Sequence, residues 1–314
     1  MLASRLPAAL VALAALVVTG CLTRGEPRDG GTDAGTDCGF AATPATRYFV
    51  ISTLAAAAGD PTGDPSVVAG LDVDGYRTVS RSDPMGCGFV DFRSGPPDDI
   101  AGVDNQLGPI LVGVAGSWDI NVALQEDIDA GRLLLLVEVS EVDSDTCSPV
   151  VTVSVLLGRL PPGVTMPALG GDGRLAVGQM FDVQSSSLGA DGTAVARASG
   201  RIAGGRVIAG PFELTFPMRF PTMVAVAHVH RAELRFDRSA SGRIERGVLG
   251  GRMQLTEAVN LGVALLGADY EPTIYTVLAG QADLEPDRTG VCQALSIGFV
   301  LAGVPALRGT TVGP

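Results

Sequence analysis

The chain has 314 residues, a formal net charge of −12, 42 glycines, 20 prolines and 5% aromatic residues. This acidic balance excludes nucleic acid and acidic lipid headgroups as general partners, because both carry negative charge. All 22 basic residues are arginine, so Schiff-base, P-loop and Ser-Lys chemistries, which need a lysine, are excluded as well. Abundant Gly and Pro with few aromatic residues favour many strands joined by tight turns.

The first twenty residues have the order of a secretory signal. Arg5 precedes an apolar run from Leu6 to Val18, and two small residues follow. The run is shorter than the roughly 20 apolar residues of a membrane-spanning helix. The stretch Val18-Thr19-Gly20-Cys21 resembles the lipobox of bacterial lipoproteins. That resemblance implies cleavage before Cys21 and attachment of fatty acyl chains, including palmitate, to its thiol.

The same resemblance implies where the protein resides. Residues 1–20 would be a signal peptide, and a lipid on Cys21 would hold the rest of the chain at a membrane surface. Leu22 stands where an aspartate favours retention in the inner membrane of familiar lipoproteins, so the outer membrane is the preferred location. Residues 21–39 are almost free of apolar side chains and predict a flexible tether. Residues 40–314 show no linker and predict a single β-rich domain.

Four cysteines remain when Cys21 is acylated. An even number in an oxidising compartment favours two disulfides. We expect Cys87 to pair with Cys147, because both lie in acidic loops, and Cys38 to pair with Cys292, which would hold both chain ends. A zinc site is disfavoured because the chain contains no C-x-x-C spacing.

An acidic segment between positions 60 and 105 contains nine aspartates and no glutamate, at positions 60, 64, 72, 74, 83, 91, 98, 99 and 104. Short carboxylates interleaved with glycine can surround one calcium ion with oxygen ligands. We predict Asp72, Asp74, Asp104 and Asn105 as calcium ligands. The alternative is a solvated loop whose aspartates only cap turns. The EF-hand pattern is excluded, because Arg77 and Asp83 occupy its glycine and glutamate positions.

Two short stretches in this acidic segment carry a second resemblance. Asp72-Val73-Asp74-Gly75, together with Gly102-Val103-Asp104-Asn105, is similar to elements of Asp/Gly-rich bacterial surface lipoproteins that have not been characterised. The resemblance covers under forty residues, and it implies no activity.

Periodicity predicts two helices and then a hairpin. Leu107, Ile110 and Leu111 recur at helical spacing, and Ile120, Leu124 and Ile128 do so after a possible N-cap at Ser117 or Asp119. From position 133 apolar and polar residues alternate, which predicts two antiparallel strands. The turn between them contains Glu141, Asp143 and Asp145, which could bind the same calcium ion as the acidic segment. Further predicted strands cover 46–54, 175–183, 193–202, 206–209, 212–216, 224–237, 243–255, 274–278 and 295–301, and a helix covers 256–266.

Both histidines of the chain, His228 and His230, lie on the strand predicted at 224–237. Strict alternation places them on the inward face with Ala232, Leu234 and Phe236. Two imidazoles on one strand face can bind a transition metal when a third ligand comes from elsewhere. The alternative is a pair of neutral, hydrogen-bonded core histidines.

These patterns predict a mainly β or α+β fold, a single large antiparallel β-sandwich or flattened barrel with two or three short helices. No catalytic motif such as G-x-S-x-G or H-E-x-x-H occurs, so we predict no catalytic residue. We therefore expect a membrane-anchored, exported binding or structural module. The alternatives are a calcium-assisted carbohydrate-binding or adhesin module, with a surface glycan or protein as partner, or a metal-dependent enzyme at His228 and His230.

Overall fold

Long antiparallel strands dominate the fold, as the alternating residues predict. The computed structural model describes residues 43–56, 64–83, 87–113, 119–220 and 223–313. Strands make up 48% of the structure and helices 17%, which confirms the mainly β fold class with few helices. The strands are β1 Ala45–Ala56, β2 Phe92–Arg93, β3 Ala101–Val103, β4 Leu135–Val142, β5 Cys147–Arg159, β6 Met180–Gln184, β7 Ala196–Ala203, β8 Arg206–Arg219, β9 Val224–Arg238, β10 Ile244–Gln254, β11 Leu284–Pro286, β12 Cys292–Pro305 and β13 Leu307–Val312.

Eight of these strands form a closed ring. Their neighbour order is β5, β4, β1, β12, β10, β9, β8 and β7, and β7 pairs back onto β5 through partners such as Val153 and Ala198. Every pairing in the ring is antiparallel. β6 extends from the far end of β5, β13 pairs in parallel with β6, and β11 adds to β12. The result is a flattened barrel with a few peripheral strands.

Packed aromatic side chains fill the interior of this ring. Phe49 on β1 meets Phe236 on β9 edge to face, with ring centroids 6.0 Å apart. Phe216 on β8 meets Phe299 on β12 in the same way at 5.8 Å. Neither pair belongs to neighbouring strands, so both contacts cross the interior. All four residues are at most 2% exposed. Packed side chains therefore fill the interior of the barrel.

In the part of the chain that the structure describes, four α-helices pack against the ring, and the sequence predicts three of them. They are α1 Leu107–Gly113, α2 Ile120–Asp129, α3 Leu255–Leu266 and α4 Glu271–Ala279. Asp119 caps α2 by accepting hydrogen bonds from the backbone N–H groups of Asn121 and Val122. Asn121 in turn accepts a bond from the Ala56 N–H at 2.8 Å, which attaches α2 to β1.

The strand predicted at 274–278 is wrong, because this segment is the helix α4. Ile274 and Leu278 are both buried, and their spacing of four residues places them on one helical face. Pro272 in the first turn also suits a helix start, since its missing N–H would have no partner there. The β-branched residues Thr273, Ile274 and Thr276 hid this signal.

The predicted disulfide pairing is also wrong. Cys87 is bonded to Cys292, so it does not pair with Cys147, and Cys292 does not pair with Cys38. Cys147 is disulfide-bonded too. The predictions for Cys21 and Cys38 lie outside the described residues. The bond attaches the acidic segment to β12, across a separation of 205 residues.

All described residues fall within one compact unit, Asp33–Pro314. In that part of the chain, none of the helices combines the length and the apolar character needed to cross a membrane.

Candidate functional site

The acidic segment packs on the outer side of β10 and β12. Leu71 and Val73 are buried in a small apolar cluster with Val248, Leu284 and Ala294. Gly250 and Gly298 make this close approach possible. A Cβ at position 250 would lie 3.0 Å from the Cβ of Leu71, and a Cβ at position 298 would lie 2.9 Å from the Ala69 carbonyl oxygen. Both distances are shorter than an ordinary van der Waals contact. The alternation of Leu71 and Val73 with aspartates then turns Asp72 and Asp74 toward solvent.

Three aspartates predicted as calcium ligands come together here. Asp72, Asp74 and Asp104 each offer a carboxylate oxygen, and these oxygens lie within 4.8 Å of one another. Asp104 is placed by an isolated antiparallel bridge with Leu71, whose carbonyl accepts the Asp104 N–H at 3.0 Å. Among the described residues, Asp72, Asp74 and Asp104 form the one group of three or more potential metal-ligating side chains whose ligand atoms all lie this close together.

Backbone amides orient these carboxylates. One oxygen of Asp72 accepts the Gly75 N–H at 2.7 Å, and one oxygen of Asp74 accepts the Tyr76 N–H at 2.7 Å. Asp104 Oδ2 accepts the Val73 N–H at 2.9 Å. Each carboxylate is thus held at one oxygen by a backbone N–H group. Such oriented oxygens suit a hard cation such as calcium.

Two further aspartates border the cluster, and sequence reasoning did not assign them. Asp91 accepts the Thr78 N–H at 2.6 Å, and Asp283 accepts both the N–H and the hydroxyl of Ser296. Asp74, Asp91, Asp104 and Asp283 all line a cavity of about 10 Å³. That volume holds about one water-sized group. The cavity is therefore of the size of a single ion or water molecule.

Crowding raises the proton affinity of this cluster. Loss of hydration, with the Asp74 charge adding to it, raises the pKa of Asp72 to about 6, although the residue as a whole is exposed. The same causes raise the pKa of Asp91 to about 6 and that of Asp283 to about 7. Burial raises the pKa of Asp104 well above its usual value. Among the described residues, no arginine lies within ion-pair distance of these groups, and Arg252 and Arg77 offset the repulsion among the carboxylates only in part, from a longer range.

Asn105, the fourth predicted ligand, has a different position. It is fully buried, and its Oδ1 accepts the N–H groups of Gly108 and Gly298, both at 3.0 Å. Its Nδ2 donates to the Ala69 carbonyl at 2.9 Å. These bonds fasten the acidic segment to α1 and β12 and occupy both lone pairs of the amide oxygen. We therefore leave Asn105 out of the proposed ligand set.

The acidic turn between β4 and β5 does not join the cluster. Asp145 forms ion pairs with Arg47, at 3.2 Å, and with Arg238. Glu141 accepts the hydroxyl of Thr152 at 2.8 Å.

The predicted inward orientation of the histidines is wrong. Arg231 has a φ of 48° and forms a bulge in β9, so that Ala227 and Val229 share the buried face with Ala232. His228 and His230 therefore lie on the outer face, with their rings stacked 6.5 Å apart. A bulge inserts one residue and reverses the alternation beyond it.

His230 already has partners at both ring nitrogens. Its Nδ1 lies 2.7 Å from Glu213, and its Nε2 lies 3.0 Å from Glu257. His228 contacts the hydroxyl of Thr215 at 3.4 Å. The two glutamates stand on opposite sides of the imidazole. These side chains are not part of a converging metal-ligand group among the described residues.

The chain matches no protein-family profile, no curated protein sequence and no solved structure.

Proposed function

We propose that the chain is an exported, lipid-anchored module that binds a ligand or has a structural role at a bacterial membrane surface. The Cys87–Cys292 disulfide is the observation that carries this proposal. Disulfides persist in oxidising compartments and are rare in the cytosol. Together with the signal-like residues 1–20 and the lipobox ending at Cys21, the bond supports export.

Lipidation of Cys21 tests this proposal directly. Expressed in a bacterial host with lipoprotein processing, the protein should fractionate with membranes, most strongly with the outer membrane. Mass spectrometry should show an acylated N-terminal Cys21. Cys21→Ser should release the exported protein from the membrane without changing its thermal midpoint. An unprocessed initiator methionine, or an unmodified thiol on Cys21 in the membrane fraction, would contradict the proposal.

A second candidate function is a calcium-assisted carbohydrate-binding or adhesin module. The convergence of Asp72, Asp74 and Asp104 favours it, because their negative charges lie within 4.8 Å of one another without a paired arginine. A divalent cation would relieve the repulsion among these carboxylates. Asp91 and Asp283 border the same cavity and would add negative charge around the cation. Calcium would then order the acidic segment that carries the binding surface.

A thermal melt in calcium and in chelator tests the cation site. At a calcium concentration about 100 times Kd, the midpoint should rise by roughly 5–10 °C. The rise should be larger at pH 8 than at pH 5, because protonated carboxyls with pKa values of about 6 and 7 compete with the metal. In chelator the midpoint itself should be lower at pH 8 than at pH 5. A carboxyl group whose pKa is raised in the folded protein destabilises the fold as the pH rises through that pKa.

Two variants make the melt specific. Asp104→Asn should abolish the calcium shift and should stabilise the protein in chelator, because a neutral amide can still accept the Val73 N–H. Asp269→Asn is the matched control, since Asp269 is an exposed aspartate away from the cluster. Glycan-array binding in calcium and in chelator then tests the carbohydrate part. Identical midpoints with calcium and with chelator would contradict the calcium proposal. They would not affect the proposal of a lipid-anchored module.

A further inference from the structure

A polar groove lies on the outer face of β4, β5 and β7, on strands other than those beneath the acidic cluster. Its volume is about 240 Å³. Strand register places Glu138, Ser154 and Arg197 side by side in one row across the three strands. Ser140 and Thr152 form the neighbouring row. The residues between these rows, such as Val153, are buried on the inner face.

Two segments form the walls of the groove. On one side, the connection between β6 and β7 folds back as a small loop closed by the bridge between Leu188 and Ala194. On the other side, Arg308 of β13 reaches over the strands and pairs with Glu138 at 2.6 Å. These walls cover a sheet face that would otherwise be open to water.

Ser154 is the most enclosed polar side chain in the groove. The residue is only 5% exposed, and among the described residues its hydroxyl forms no hydrogen bond. The Ser154 hydroxyl lines the groove and is not committed to another side chain. It is therefore available to hydrogen-bond a polar atom of a bound molecule.

Arg197 is the second group in the groove that is available to a ligand, and its side chain is exposed. It lines the groove, and within the described part of the chain its guanidinium forms no hydrogen bond or ion pair. The nearby Asp191 instead accepts the hydroxyl and the N–H of Thr193. Glu138 and Arg308 neutralise each other, and Glu141 is engaged with Thr152. The lining of the groove therefore has one more positive than negative side chain, and Arg197 is the arginine in it that forms no direct ion pair, with Asp191 acting on it only at longer range.

We propose that this groove binds a small sugar acid, a monosaccharide-sized polyol that carries one carboxylate. Arg197 would bind the carboxylate, since a guanidinium fits that group with two parallel hydrogen bonds. Ser154, Ser140 and Glu138 would bind hydroxyl groups. Leu156, Leu188 and Ala194 provide an apolar wall for the carbon face of the sugar ring. The volume lies below the 300–1,000 Å³ that is typical of sites for drug-sized ligands, which favours a single sugar unit.

This inference names a ligand class for the proposed binding module, but the groove does not depend on the anchor or on calcium. Its test therefore uses the full chain in EDTA, so that failure of the groove proposal is distinguishable from failure of the calcium proposal. Isothermal titration with D-glucuronate should give saturable binding. D-Glucose, which lacks the carboxylate, and acetate, which lacks the hydroxyls, should each bind at least about tenfold more weakly.

Variants assign the binding to the groove. Arg197→Gln should weaken glucuronate binding by about tenfold or more, and Ser154→Ala should weaken it by about fivefold. Arg288→Gln is the control, since Arg288 is an exposed arginine in the turn between β11 and β12, and binding should be unchanged. Thermal melts should show that all three variants are folded. Absence of saturable glucuronate binding, insensitivity to both groove variants, or equal binding of glucose or acetate would overturn the proposal.

Discussion

His230 connects the sheet to α3 through two glutamates. Glu213 lies on β8, and Glu257 belongs to the first turn of α3, where it also accepts the Gln254 N–H. Partial burial lowers the pKa of His230, but the bonds to Glu257 and Glu213 outweigh this effect, and the net shift is upward. The stabilisation is therefore present at low pH, where the imidazolium exists, and is lost as the pH rises through the raised pKa.

His230→Gln should therefore destabilise the protein in a pH-dependent way. The expected loss is about 0.5–1 kcal/mol at pH 6 and close to zero at pH 9, because the ion pairs are partly exposed. Urea unfolding at both pH values measures this difference. His228→Gln is the control variant, because it replaces an imidazole on the same strand face that contacts Thr215 and neither glutamate. An equal loss for His230→Gln at pH 6 and pH 9 would show that packing, not charge, holds the side chain.

At the scale of residues, the sequence indicated part of the acidic cluster. Asp72 and Asp74 were predictable together because the alternation with Leu71 and Val73 is local. Asp104 followed from the stretch Gly102-Val103-Asp104-Asn105 in the same acidic segment. Asp91 was missed because its position depends on how the acidic segment folds back on itself at Thr78, and Asp283 was missed because it joins the cluster from a distant part of the chain through Ser296 of β12. No spacing in the sequence records either contact.

At the scale of elements, the patterns identified most strands and three helices but not their irregularities. The bulge at Arg231 reversed the inferred face of both histidines. Its position depends on pairing with β8 and β10, where the register also shifts. A strand pattern alone assumes an unbroken period of two, so an insertion of this kind is invisible in it.

The docking of the acidic segment on β12 depends on Gly298. A Cβ at this position would lie 2.9 Å from the Ala69 carbonyl oxygen and 2.9 Å from Asn105 Nδ2. Gly298→Ala should therefore displace the segment and lower the free energy of unfolding by about 1–3 kcal/mol. It should also weaken any calcium-dependent rise of the melting midpoint.

Gly171→Ala is the matched control for this element. Gly171 lies in the connection between β5 and β6, and a Cβ there would have no neighbour within 4 Å. Chemical denaturation of both variants measures the difference. If Gly298→Ala is as stable as Gly171→Ala, the close contact between the segment and β12 is not important for stability.

At the scale of the whole molecule, a β-rich fold was predictable, but closure of the ring was not. The pairing of β5 with β7 joins strands that each already have another partner. Composition and period two favour a sandwich as much as a flattened barrel. The choice between them is made by strand register and twist, which are properties of the assembled sheet.

The Cys87–Cys292 bond ties the acidic segment to this assembled sheet. Replacing both cysteines with serine should lower the free energy of unfolding by about 2–5 kcal/mol, mainly by freeing the unfolded chain. Equilibrium unfolding of the oxidised protein and the double variant measures the loss. A reducing agent should lower the stability of the parent protein and have a smaller effect on the variant, which retains the bond at Cys147. Equal stability of the two proteins would contradict this expectation.

The neighbours in the ring also determine when folding can finish. β1, near the start of the described chain, lies between β4 and β12, and Ser52 bonds to the Ala302 carbonyl across 250 positions. Contacts between such distant positions slow folding. A ribosome must therefore synthesise nearly the whole polypeptide before the last gap in the ring can be filled. Until then the strands beside the gap have unpaired backbone groups along one edge.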